Sequence, residues 1–379
     1  MKNIVILGST GSIGKNSLEI IDKFKDKFNV LALSANKNIN LLEKQIKKFK
    51  VGMAAVYDET LAKQLQKKCR NTEIYSGTDG IKKLCAFKKC DLILNAIIGS
   101  SGLKYTVESI YNRKNIALAN KESYVMAGPI LNDLIRKYKV DIIPVDSEHS
   151  AIFHLIKNLD SRKDIEKIYL TASGGPFLNK PIQEFVQITI EDALKHPVWS
   201  MGGKITVDSA TLINKGFEVI EAVHLFKIGY QDIDVVIHPQ SIIHSMVKVI
   251  DGEIYAQLSP PDMKFPILNA LSYPEKLKNP FQSLDLYKLK NLSFQKPDNN
   301  KFPLLKYSYD IGKKGGNLPA ALSIADDIVV SQFLERKIRF NDIFPGIKNI
   351  VENVKYMETP DLDDILRLEK EINYRFEIY

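Results

Sequence analysis

Residues 140–144 form a mostly apolar strand-like stretch, and Val145-Asp146-Ser147-Glu148-His149 follows at once. In extended backbone, residues i and i+2 point the same way, so Asp146 and Glu148 are expected to converge on one side. Two carboxylates at the C-terminal end of a strand, where doubly wound folds bind ligands, suit a hard divalent cation. No Cys/His cluster accompanies them, so Mg²⁺ or Mn²⁺ fits better than Zn²⁺. A solvated turn is the other reading of the same pair, and His149 reads as structural rather than as a ligand. Farther along, Val207-Asp-Ser-Ala-Thr-Leu-Ile-Asn-Lys-Gly-Phe-Glu218 offers Ser209 and Asn214 as neutral donors and Lys215 as a cation, a set able to hold a phosphate. Glu218 lies one helical turn after Asn214, within reach of the same place as a third metal carboxylate. Glu221, on the next turn, is the alternative. Asp208 reads as a helix N-terminal cap or orienting group.

Two further segments carry chemistry. Thr171-Ala-Ser173-Gly-Gly-Pro-Phe177 has small residues that let backbone and hydroxyl donors approach an anion. His196-Pro-Val-Trp199-Ser-Met-Gly-Gly203 holds the only tryptophan. Its glycine pair offers hinge freedom, and Trp199 with Met201 offers an apolar cover, which together suit a lid that expels water.

These residues need a scaffold. Residues 3–7 (NIVIL) read as a buried parallel strand, and Gly8-Ser-Thr-Gly11-Ser-Ile-Gly14 follows directly, ahead of helical spacing over 12–24. A glycine-rich turn between strand and helix presents backbone N–H groups and the positive end of a helix dipole to a pyrophosphate. NAD-selective folds place a carboxylate after the second strand, roughly 20 residues on. Here that strand ends Ser34-Ala-Asn36-Lys37-Asn38, with a lysine and no carboxylate, which favours NADPH over NADH. Strands over 30–34, 53–56, 92–96, 116–119 and 141–144 alternate with helices over 39–49, 60–68 and 103–112. That rhythm predicts a mostly parallel sheet covered on both faces. The division expected is a Rossmann-like NADPH domain over 1–145 and an α+β catalytic domain over 146–273, with a flap at about 194–204. A proline-bearing linker over 274–305 and a C-terminal helical domain over 306–379 follow, with helices at 320–333, 344–354 and 362–375.

Composition sets the class. Of 379 residues, 45% are apolar and 26% charged, near the soluble globular average, which argues against disorder. The net charge of +8 comes from dispersed lysines without a basic stripe, so nucleic acid is not the expected partner. Three cysteines with no CxxC pair suit a reducing compartment. The early first strand and the absence of a long apolar run point to a cytoplasmic protein off the membrane; a plastid-type organelle requires a removed presequence.

Taken in order, GSTGSIG (8–14), LANKES (118–123), PVDSEHSAIF (144–153), ASGGPF (172–177), HPVWSMGGKITVDSATLINKGFE (196–218) and HPQSIIHSMV (238–247) resemble the 1-deoxy-D-xylulose 5-phosphate reductoisomerases. The resemblance implies a homodimeric enzyme of three parts. It would convert 1-deoxy-D-xylulose 5-phosphate to 2-C-methyl-D-erythritol 4-phosphate by metal-assisted rearrangement and hydride transfer from NADPH. It implies Asp146, Glu148 and Glu218 as metal ligands. It brings Lys121, Ser147, Ser173, His196, Ser209, Asn214, Lys215 and Glu218 to the substrate, with Lys121 and Glu148 as candidates for proton transfer. Gly8, Thr10, Gly11, Ser12, Ile13, Asn36, Lys37, Asn38, Asn120, Glu122 and Gly202 fall at cofactor positions. Lys121 and Glu122 come from the resemblance alone. Three positions depart from the pattern: Asn36 replaces a common glycine, Gly203 replaces a common basic residue, and Ser323-Ile-Ala-Asp326-Asp327 replaces Asn-Ala-Ala-Asn-Glu, a change expected to lie outside the chemistry. A plain NADPH reductase without rearrangement and a non-catalytic nucleotide sensor are the competing classes. The reductase would need no upstream isomerisation of the pentulose phosphate, and the sensor would need no three converging carboxylates.

Overall fold

The computed structural model describes residues 1–159, 161–199 and 201–376. Contacts divide the chain into two compact units: 1–120, 131–146 and 263–281 in the first, and 121–130, 147–262 and 282–379 in the second.

The first unit alternates strand and helix: β1 (Lys2–Leu7), α1 (Ser12–Lys23), β2 (Phe28–Ala35), α2 (Ile39–Phe49), β3 (Met53–Val56), α3 (Glu59–Lys68), β4 (Glu73–Ser76), α4 (Gly77–Cys85), β5 (Leu92–Asn95), α5 (Leu103–Tyr111), β6 (Asn115–Leu118), the part of α6 (Glu122–Tyr138) from residue 131 on, and β7 (Ile142–Pro144); residues 122–130 of α6 belong to the second unit. The seven strands form one parallel sheet in the order β4-β3-β2-β1-β5-β6-β7. β1 shows why the sheet is buried on both faces. Ile4 and Ile6 join one apolar cluster while Val5 and Leu7 join the other, the period-two alternation of a strand covered above and below. The expected parallel sheet is observed. β4, which lacks a continuous apolar run, was not among the expected strands. α6 carries Pro129, and its backbone leaves helical geometry at Ala127 (φ −141°), as expected near a residue that cannot donate and crowds the preceding turn.

The second unit holds α7 (Ser147–Lys157), β8 (Ile165–Ala172), α8 (Ile190–Ala193), α9 (Gly203–Thr211), α10 (Ile213–Phe226), β9 (Ile233–Ile237), β10 (Ile243–Val249) and β11 (Ile254–Leu258). The next helix, α11 (Lys264–Ser272), returns to the first unit, where Ile267 and Leu271 join the core against α1. α12 (Pro303–Lys314), α13 (Leu318–Leu334), α14 (Ile343–Glu352) and α15 (Leu362–Phe376) complete the second unit. Its sheet is mixed, in the order β11-β10-β8-β9: β8 and β9 are parallel, and β10 runs antiparallel to β8 and β11. α13 is apolar nearly all round and buried along its length, which makes it the central helix of this unit.

Candidate functional site

The glycines of the opening turn differ in what requires them. Gly8 has φ +83°, and a Cβ there would lie 2.6 Å from Ala96 O; a Cβ on Gly14 would lie 2.4 Å from Ser9 Cα. Both positions demand glycine for the chain's own packing. A Cβ on Gly11 would meet nothing closer than 3.4 Å. Gly11 caps α1 without a side-chain hydrogen bond, and the first turn of α1 carries no acidic residue. That leaves a helix start suited to an anion, with an open backbone position in front of it. Thr10 and Ile13 are half-buried and Ser12 is exposed. Asn36, Lys37 and Asn38 are exposed after β2, and Asn38 also accepts from Leu41 N–H as the cap of α2. Asn120 is buried and donates to Gly99 O at 2.8 Å.

Three carboxylates converge. Asp146, Glu148 and Glu218 each bring an oxygen within 4.8 Å of the others. The local reason differs from the extended-chain expectation: Ser147 begins α7, so Glu148 sits in a helical first turn directly after Asp146. The dipole end there favours its charge. Glu218, buried on α10, takes hydrogen bonds from Lys121 Nζ at 2.8 Å, from Asn214 Nδ2 at 2.6 Å and from Lys215 Nζ. Lys215 also lies 3.3 Å from Glu148, and Lys121 donates to Asn214 Oδ1 at 2.8 Å. Ser147 donates to Glu148 Oε2 at 2.7 Å. Formally, the three carboxylates carry three negative charges and the two lysines two positive ones. Adding a divalent cation reverses the net sign from −1 to +1, which suits an anionic substrate. The all-oxygen donor set fits Mg²⁺ or Mn²⁺. Glu221 lies instead beside His149 Nδ1 at 3.5 Å, and His149 Nε2 bonds the backbone carbonyl of Glu218 at 3.0 Å. His149 therefore braces the helix that presents Glu218.

A second group of donors surrounds Ser173. Val198 and Trp199 N–H both donate to His196 Nδ1, at 3.1 and 2.8 Å. Nδ1 is therefore the unprotonated nitrogen, and Nε2–H donates to Ser173 Oγ at 3.0 Å. Burial drives the His196 pKa down to about 4, and the two N–H donors act in the same direction by blocking a second proton. Ser173 Oγ also accepts from Gly175 N–H at 3.2 Å, so its own proton is left to donate. Gly175 has φ +68°, and a Cβ there would sit 2.6 Å from Ser209 O, which sets the Ser173 loop directly against α9. Trp199 packs its ring 6.1 Å from that of His244. Gly202 precedes α9 with ordinary φ −67°, and Gly203 is its first residue. Neither requires glycine on steric grounds in this conformation. Ser200, within the 194–204 flap, lies outside the described residues.

Asp208 is no cap. It lies inside α9, buried, and pairs with Lys204 at 2.8 Å. Nor do Asp326 and Asp327 stand apart: they lie 2.5 and 3.4 Å from the same Lys204, which is 4.0 Å from Glu122. Sequence reasoning missed Lys204, although its i,i+4 spacing to Asp208 was a readable signal. Cys69, Cys85 and Cys90 are all buried, and burial lifts the thiols of Cys85 and Cys90 to about 12 and 11, which keeps them protonated at neutral pH and disfavours a nucleophilic role.

A Rossmann-type parallel sheet and an acidic, lysine-braced centre on one chain mark the class, an α/β oxidoreductase with a metal-type site. Comparisons with known proteins narrow it. The family model of 1-deoxy-D-xylulose 5-phosphate reductoisomerase matches residues 4–128, that of its C-terminal domain residues 142–226, and that of the DXP reductoisomerase C-terminal domain residues 258–375. A relative of that name from Thermodesulfovibrio yellowstonii is 48% identical over 366 residues, covering 97% of this chain and 96% of the relative. One from Halothermothrix orenii is 45% identical over 370 residues, covering 97% and 96%. The solved reductoisomerase of Zymomonas mobilis in complex with NADPH superposes with a TM-score of 0.90 at 37% identity, over 100% of this chain and 98% of that one. A DOX-P reductoisomerase in complex with NADPH, fosmidomycin and magnesium gives 0.94 at 36%, with the same coverage. The chain belongs to the 1-deoxy-D-xylulose 5-phosphate reductoisomerase family.

Proposed function

We propose that this chain converts 1-deoxy-D-xylulose 5-phosphate to 2-C-methyl-D-erythritol 4-phosphate, using NADPH and Mg²⁺ or Mn²⁺. The observation that carries this reading is the meeting of Asp146, Glu148 and Glu218 within 4.8 Å, braced by Lys121 and Lys215. A plain reductase has no need of that arrangement. When bound, the divalent ion supplies Lewis-acid polarisation of the substrate's ketone and hydroxyl oxygens, and NADPH supplies the hydride.

The chain's own residues do the rest. Asp146, Glu148 and Glu218 hold the metal. Ser173, through its free O–H, binds the phosphate together with Ser209, Asn214 and Lys215, while His196 fixes the Ser173 rotamer by donating to its Oγ. Ser147 meets the substrate beside the metal and orients Glu148. Lys121, held between Asn214 and Glu218, and Glu148 are the two groups placed to move a proton. Gly8, Thr10, Gly11, Ser12, Ile13, Asn36, Lys37, Asn38, Asn120, Glu122 and Gly202 receive the cofactor, with Lys37 toward the 2′-phosphate. The flap at 194–204 closes Trp199 and Met201 over the substrate and excludes water.

We place the working form as a cytoplasmic homodimer. No helix among the described residues is long and apolar enough to cross a membrane. β11 is an edge strand with Ile254, Tyr255 and Leu258 exposed, and Ile250 exposed beside it, an arrangement that a second copy covers. The decisive experiment follows NADPH absorbance with 1-deoxy-D-xylulose 5-phosphate, with and without EDTA. Turnover abolished by EDTA and restored by Mg²⁺ supports the reading. Turnover indifferent to EDTA, or none with this substrate, refutes it.

A further inference from the structure

Lys204 lies on the first turn of α9, where a cation meets the unfavourable end of the helix dipole. Four carboxylates on three helices compensate it: Asp208 on α9, Asp326 and Asp327 on α13, and Glu122 at the start of α6. The Phe217 ring of α10 lies 5.6 Å from its ammonium, and Lys121 is the other cation that faces Glu122. Asp208 and Asp326, the two most deeply buried of these acids, share the Lys204 ammonium at 2.8 and 2.5 Å, a formal excess of one negative charge on that buried trio.

Such an excess does not persist in a buried site. Burial raises the carboxyls of Asp326, Asp208 and Glu122, and repulsion among the acids adds to the rise, while the same acids hold Lys204 charged well above its usual range. Asp208 Oδ1 and Asp326 Oδ1 are both buried without a hydrogen-bond partner, so a retained proton has two places to sit.

We propose that Lys204 is a positioning residue for the reaction: it holds Glu122, the end of the flap and the turn leading to Ser209 in one arrangement, and Asp326 makes that hold depend on a proton kept within the cluster. This rests on the function proposed above. The sign follows from the raised acids. Their folded forms bind protons more tightly than the unfolded chain does, so the hold is strongest at acidic pH and weakens as pH rises and the retained proton leaves. Lys204 stays charged throughout. At alkaline pH the freed charges repel across one ammonium, and the flap end and Glu122 loosen together.

The test compares wild type with Lys204→Ala, Lys204→Arg and Asp326→Asn. Steady-state kinetics with NADPH and 1-deoxy-D-xylulose 5-phosphate from pH 5.5 to 9 provide one readout. Hydrogen exchange of residues 194–204 in the protein alone provides the other. Lys204→Ala should raise KM for NADPH about tenfold, the equivalent of one broken interaction of ordinary strength, with a smaller change in kcat. Lys204→Arg should recover most of that loss. Asp326→Asn should flatten the alkaline rise in KM for NADPH and slow exchange in the flap at pH 8–9. An Asp326→Asn variant whose pH profile and exchange match wild type overturns the proposal, as does a Lys204→Ala variant that loses stability but keeps both KM and kcat. Should Lys204→Ala fail to fold, Asp326→Asn decides alone. If wild type does not consume NADPH with this substrate, the functional reading fails, and the exchange profile still decides the cluster.

Discussion

Replacing Gly175 by alanine tests how the phosphate-side donors are built. The residue has φ +68°, a conformation that costs a non-glycine residue roughly 1–2 kcal/mol. Its new Cβ would also lie 2.6 Å from Ser209 O and 3.1 Å from Ala210 Cα, both backbone atoms that cannot rotate away. Forced overpacking of that kind costs about 1–3 kcal/mol. Alanine narrows the unfolded ensemble and returns about 0.4–1 kcal/mol. The net loss is roughly 1–4.6 kcal/mol, a large part of the roughly 5–15 kcal/mol that holds a domain together. Trp199 is the only tryptophan and lies in the second unit, so its fluorescence during urea unfolding reports on this region. A shift of roughly 1 M to lower urea is expected at ordinary urea slopes. Displacing the loop also breaks the Gly175 N–H bond to Ser173 Oγ and separates Ser173 from α9, so KM for the phosphorylated substrate should rise while KM for NADPH holds. Gly174→Ala is the control. It also has positive φ, but its Cβ meets the movable side chains of Leu178 and Ile237, so it should cost less. If Gly175→Ala unfolds within 0.2 M urea of wild type with KM unchanged, the close approach of loop and helix is not what shapes the site.

Three further expectations follow from the same geometry. Gly11→Ala meets no intramolecular obstacle, so it should leave thermal stability unchanged yet weaken NADPH binding, measured by fluorescence titration; equal losses of stability and affinity would count against an open position at the turn. His196, with its folded pKa lowered to about 4, should stay neutral until well below pH 6.5. Because the unfolded chain binds that proton first, stability should fall as pH drops from about 6.5 toward 4, and a Trp199 signal titrating near pH 6.5 in the folded enzyme would refute the assignment. Ile254→Lys on the exposed face of β11 should yield a monomer by sedimentation velocity, and an unchanged dimer would move the interface elsewhere.

The residues that could be read from sequence were those whose signal is local. β3 matches its expected bounds and β1 nearly so, because strands buried on both faces leave uninterrupted apolar runs. β4 escaped because it is an edge strand of four residues, EIYS, with charge and hydroxyl at its ends. The convergence of Asp146 and Glu148 is legible in their spacing, but its cause is the start of α7 at Ser147 rather than extended chain. Lys121 gave no local sign at all. Its partner Glu218 lies 97 positions away, and only the fold brings the two within 2.8 Å. Asp326 was set aside for the same reason, since Lys204 lies 122 residues earlier in the chain. The return of α11 to the first unit leaves no trace in its own residues, because an apolar helix face does not name the core it joins.

The start of α6 has one more consequence. The backbone carbonyl of Lys121 accepts the first bonds of the helix, from Tyr124 and Val125 N–H. From that single turn, Lys121 reaches the Glu218 carboxylate of the metal-type centre and the next residue, Glu122, faces Lys204. Two neighbouring residues on one rigid turn are thus committed to two charge clusters of opposite need, and neither can be adjusted without moving the other. Under the metal and cofactor roles proposed above, occupancy at the acidic centre and occupancy at Glu122 are expected to be thermodynamically linked. The factor by which Mg²⁺ tightens NADPH must equal the factor by which NADPH tightens Mg²⁺, and calorimetric titration in either order should return the same coupling free energy.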